Sequence, residues 1–190
     1  MAAQTFRFDP SKVAHYEVEG WKAYYDRNWL RLLNLIVSLA QAQFRIPFPY
    51  SLLAAYYITR ASVAFVPKEH NAARVSAYME KFYQLARRYS GLRFDARQAA
   101  VLESDYWEVH RRLVGQTDKT AFIDALTALH AAVFDLSLAQ AHPSGELRVE
   151  ANNVLDTITS RTSPDPARDW LRCEDLLTQC YGSIQHLKEQ

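Results

Sequence analysis

Three features of the sequence predict an all-α fold, an antiparallel helical bundle of about seven helices. Apolar residues recur at three- and four-residue spacing along nearly the whole chain. No convincing alternation of period two appears. The 190 residues include only 5 Gly, so tight turns are few and helices long. The hydrophobic fraction of 49% and charged fraction of 23% suit one folded domain spanning 1–190.

Punctuation sets the expected elements. Asp9 is a good N-cap, Pro10 fits the first turn, and Phe8 is placed to staple onto Val13. That helix is expected to run to about Phe44, bent near Asp26 to Asn28, with Pro47 and Pro49 ending it. A second helix follows from Tyr50 to Val66, stopped by Pro67. The third spans about Glu69 to Tyr89 and ends at Ser90-Gly91. Asp95 caps a fourth that reaches Val114 before Gly115. Asp118 opens a fifth, to about Gln140, with His142-Pro143 as its break. The sixth covers Ser144 to Ser160. The stretch TSPDP is a linker in which Asp165 caps and Pro166 starts the last helix. Short connections imply antiparallel neighbours.

Two segments echo one another. RFDPSKVAHYEVEGW, from Arg7, and RFDARQAAVLESDYW, from Arg93, share Phe-Asp, then Glu17 with Glu103, then Trp21 with Trp107. Phe-Asp alone is ordinary helix-start chemistry, but the Glu and Trp lie two to three turns further in. A pseudo-repeat of a three-helix unit, residues 7–90 and 93–160 with a C-terminal helix 165–188 added, is one expectation.

Both segments also place polar groups on apolar faces. Glu17 lies in the stripe Val13, Tyr16, Gly20, Trp21, Tyr24. Glu103 and His110 lie in the stripe Ala99, Leu102, Tyr106, Leu113. Arg60 shares a face with Leu53, Tyr56, Tyr57 and Ala64, and His130 is enclosed by Phe122, Leu126, Leu129 and Val133. A carboxylate buried without a partner costs several kcal/mol, so these groups must pair, bind water or stay protonated.

Three explanations fit. One is a structural network fixing helix register. Another is an interhelical pocket for a small, partly apolar or aromatic molecule. In it Glu17, Glu103 and His110 would be the acid/base candidates, with Tyr24 relaying protons and Arg60 holding an anion. Tyr16, Trp21, Tyr24, Tyr57, Trp107 and His130 would line it. The third is a ferritin-like carboxylate metal centre, weakened because no Glu-x-x-His occurs and Glu103 and His110 stand seven apart, roughly 10 Å along the axis. No metal ligand is therefore assigned, and no cofactor is indicated. An interaction protein or homo-oligomer, with Phe6, Tyr50 and Trp170 as contact anchors, is the alternative from another class.

Some chemistries find no support. There is no glycine-rich phosphate loop, Gly-x-Ser-x-Gly, His-Glu-x-x-His or Cys-x-x-Cys. Lys plus Arg is 22 against 21 acids, a balance that gives no electrostatic reason to expect nucleic acid or an anionic membrane. The longest apolar run, Leu35 to Ala40, is far below the roughly 20 residues of a membrane span, and MAAQTFRFDP lacks a secretory core. A cytoplasmic protein is expected. Cys173 and Cys180, seven apart, are too far for a disulfide within a helix and read as buried thiols.

Overall fold

A computed structural model describes residues 6–189 and shows eight helices and no strand among them. Residues 1–5, half of the N-terminal stretch read above for a secretory signal, lie outside the described residues. The helices are α1 (Pro10–Tyr25), α2 (Trp29–Phe44), α3 (Tyr50–Phe65), α4 (Ala72–Ser90), α5 (Ala96–Leu113), α6 (Thr120–Phe134), α7 (Leu138–Thr159) and α8 (Pro166–Glu189).

The expected first helix is two. Arg27 takes a left-handed φ of 56°, which an α-helix cannot continue, and Asn28 then caps α2 by accepting from the Arg31 N–H. The second difference lies at His142-Pro143. The chain breaks earlier, at Asp135, whose φ is 51°. Ser137 and Gln140 form a capping box that starts α7 there. Pro143 is the sixth residue of α7, past the first turn, and forfeits the one backbone bond its N–H would have made to the Ala139 carbonyl. The two echoed starts are alike in detail. Asp9 accepts from the N–H groups of Ser11 and Lys12, and Asp95 from those of Arg97 and Gln98.

Each helix packs on the next in the chain, and α8 packs on α1, closing a ring; α2 also touches α4. An aromatic cluster joins the start of the chain to the far side of that ring. Phe8 meets Phe134 at 6.1 Å and Tyr181 at 6.1 Å, and Phe44 stacks on Phe134 at 6.5 Å. Phe8 is held further by its N–H donating to Gln185 at 3.0 Å. Phe6, proposed above as a surface anchor, is buried in this cluster. A chain with 24 aromatics has them available to fill the interior, and Phe6 completes one side of it.

Gly145 lets α6 and α7 come close. A Cβ built there would lie 2.4 Å from Thr127 Oγ1, 3.1 Å from the Ile123 carbonyl oxygen and 3.2 Å from the Thr127 nitrogen. Both cysteines are free and buried. Cys180 reaches the Ser144 carbonyl at 3.2 Å and Cys173 that of Ala151 at 3.5 Å. Burial pushes both thiols up to about 12, so they pack as small apolar groups. Among the described residues no helix is long and apolar enough to cross a membrane.

Candidate functional site

The interior of the ring holds a polar network centred on Arg148, a residue of α7 that is almost fully buried. Its Nη2 lies 2.5 Å from Glu17 Oε1, and its guanidinium lies over the Trp21 ring, 5.1 Å from the centroid. The other Glu17 oxygen accepts from the Tyr181 hydroxyl of α8 at 2.5 Å. Both carboxylate oxygens of Glu17 are thus engaged, by side chains of two neighbouring helices, α7 and α8.

Glu103, on α5, is treated the same way by different partners. Its Oε2 accepts from Tyr83 of α4 at 2.8 Å, and its Oε1 from the Trp107 indole one turn away at 3.1 Å. Burial raises its pKa to about 7, against the pull of those hydrogen bonds and of the Arg148 charge; the Glu17 carboxylate adds to the rise. Tyr83 and Tyr181 are raised by burial and by the carboxylate each serves, Glu103 and Glu17 respectively. Tyr106 is raised by burial first and then by Glu103. Those phenols remain neutral donors at any ordinary pH.

A stability consequence follows from Glu103. Between about 4.5 and 7 the folded chain keeps it protonated while the unfolded chain ionises it. A neutral buried carboxyl therefore contributes fully below 4.5, and that contribution is lost as pH rises through 7. Urea unfolding should show wild-type stability falling relative to Glu103→Gln between pH 4.5 and 8, by about 3 kcal/mol at most. Parallel pH curves for the two proteins would refute the assignment.

The other candidates are dispersed. His130 is buried on α6 against Ser144 Oγ at 2.7 Å, and burial, with the Arg148 charge, lowers its pKa to about 3. His110 stacks on Phe122 at 4.8 Å and stands 3.4 Å from Asp156. Tyr16 is half-buried against His15, and Tyr24 is 47% exposed between Tyr25 and Trp29. Tyr57 lies beneath Lys81, and Arg60 donates to the Tyr78 hydroxyl at 3.2 Å. Of the predicted set, Glu17, Trp21, Glu103 and Trp107 come together; Tyr83, Tyr106, Arg148 and Tyr181 join them from outside it.

Two open depressions lie elsewhere. One of about 500 Å³ lies between α6 and the start of α7, beside Asp124, Thr127 and His142. One of about 380 Å³ lies between the α5–α6 connection and the end of α7, beside Lys119, Asp156 and Ser160. Neither is lined by Glu17, Glu103 or Arg148. Among the described residues no three His, Cys, Asp or Glu are gathered as a metal would need. Inside the network, Arg148 Nη1 and Asn152 Oδ1 are buried without a hydrogen-bond partner. No protein-family model, curated protein or solved structure matches the chain.

Proposed function

We propose that this chain is a helical docking protein, and that the Glu17–Arg148–Glu103 network is its internal frame. One observation carries the reading: all four carboxylate oxygens of Glu17 and Glu103 already have partners from within the fold. A reacting molecule would have to displace Arg148, Tyr181, Tyr83 or Trp107 to reach them, at a cost of about 1–3 kcal/mol per buried group left unpaired. The frame joins α1, α4, α5, α7 and α8 and leaves their outer faces for recognition. The test is the size of the native particle. Gel filtration of extract from cells making the protein at its natural level should place it in a complex well above its own 21.9 kDa. Elution as a lone chain would sink the reading.

A second reading rests on the unpartnered Arg148 Nη1 and Asn152 Oδ1. A small polar molecule between α1, α5 and α7 would satisfy both, with Glu103 near neutrality to exchange a proton with it. Thermal-shift ligands that lose their effect in Glu103→Gln, with the fold intact, would favour it.

A further inference from the structure

The outward side of α3 has a pattern that the interior does not explain. Leu52, Tyr56, Thr59, Val63 and Val66 are all exposed, Val63 at 63% and Val66 at 68%. Their separations are four, three, four and three residues, so they form one straight stripe of the kind a coiled-coil partner fills. Thr59 does not interrupt it, because its hydroxyl is turned back to the Ala55 carbonyl at 2.8 Å. Four large apolar side chains in line on solvent mark a recognition face.

The stripe has a cationic flank on its α4 side. Arg60 and Lys81 bracket the Tyr78 ring at 5.4 and 5.9 Å, and Arg88 stands over Tyr89 at 5.4 Å. Tyr78 is drawn below its usual pKa by hydrogen bonds from Arg74, with burial opposing and Arg60 adding to the fall. On the other side Arg31 pairs with Glu19 of α1. No acid occurs between Asp26 and Glu69. From Arg27 to Tyr89 there are nine Lys and Arg against two acids, Glu69 and Glu80, and Glu80 accepts from Gln84. That third of the chain carries +7 of a total of +1, so the remainder carries −6.

Charge decides the occupant. A second copy of the same stripe, paired antiparallel about Thr59, would set Arg60 beside its own copy with no acid from residues 27–68 to relieve it. We infer that the outward face of α3 receives an amphipathic helix of a partner protein, apolar along its contact stripe and acidic on the side that meets α4. The inference rests on the docking reading above. The stripe from Leu52 to Val66 spans roughly 21 Å, the length of two heptads, and helix-in-groove recognition reads anchors at this spacing.

The probe is a designed 21-residue helix of three heptads, with Leu along one stripe and Glu at the flanking positions. Titrated into ¹⁵N-labelled protein, it should shift amide signals of α3 and α4 with micromolar affinity, and weaken as salt is raised. Val63→Glu and Lys81→Glu, both surface changes, should each weaken it tenfold or more, and a peptide with Lys in place of Glu should not bind. Absence of binding, or binding unchanged in both variants, would overturn the inference. So would binding of phosphatidylserine vesicles or of a (dT)20 strand in place of the peptide, which would make the surface a lipid or nucleic-acid face. The two levels separate in extract: a large complex that survives Val63→Glu removes α3 as the site, whereas a lone chain removes the docking reading itself.

Discussion

Arg148→Met lowers the midpoint of thermal unfolding by about 10 °C, the larger of two stability losses the interior predicts. Methionine fills much of the same volume, so the effect is electrostatic. Removal of the guanidinium leaves the Glu17 carboxylate buried with only the Tyr181 hydroxyl beside it. Breaking one side of a buried pair costs about 3–5 kcal/mol, and in a chain of this size each kcal/mol moves the midpoint by about 2–4 °C. Glu103 is affected as well, because the Arg148 charge opposes the rise of its pKa. The double variant Glu17→Met/Arg148→Met separates pairing from packing. With both charges gone the desolvation cost goes too, and more than half of the lost stability should return. Differential scanning calorimetry of the three proteins decides it. A double variant as unstable as the single one would mean that the site is sensitive to shape and that the pair contributes little.

The second large loss comes from a single methyl group. Gly145→Ala should destabilise by about 2 kcal/mol or more, against the roughly 1 kcal/mol gain that alanine brings to a helix interior. The added Cβ meets Thr127 Oγ1 at 2.4 Å, which a rotamer change could relieve. It also meets the Ile123 carbonyl at 3.1 Å and the Thr127 nitrogen at 3.2 Å, which belong to the α6 backbone and cannot step aside. Thr127→Ala in the same chain should recover only part of the loss. Chemical denaturation measures it directly, and a Gly145→Ala protein as stable as wild type would show that α6 and α7 are not in close contact at this point.

Most of the helical plan was legible, because caps and prolines act locally. Asp9, Asp95, Gly91 and the Asp165-Pro166 start each sit where the chain alone places them. The two misplaced boundaries share one cause: a left-handed residue that is not glycine. Arg27 and Asp135 carry no strong sequence mark of a positive φ, whereas the next cap in each case, Asn28 or Ser137, does carry a signal. Arg148 lay within the expected sixth helix, but Ser144 and Asn152, which share its face, are polar and do not mark that face as buried. In α7 Ser144, Arg148, Asn152 and Leu155 are all buried on one face, and a guanidinium on it demands an acid. Glu17 and Glu103 were visible by that same logic. Their partners on other helices, Arg148, Tyr181 and Tyr83, were not, because which helices meet across a ring is set by packing. The balanced total charge concealed the basic third of the chain, since a sum over all residues erases position.

The closure of the ring by α8 on α1 also bears on how the molecule is made. Synthesis delivers α1 first, yet Arg148 and Tyr181, which satisfy its Glu17, emerge more than a hundred residues later. Until α8 leaves the ribosome, the first helix carries a carboxylate among apolar side chains and has nowhere to bury it. The early helices must therefore wait in a loosely held state until α7 and α8 arrive to pair that carboxylate.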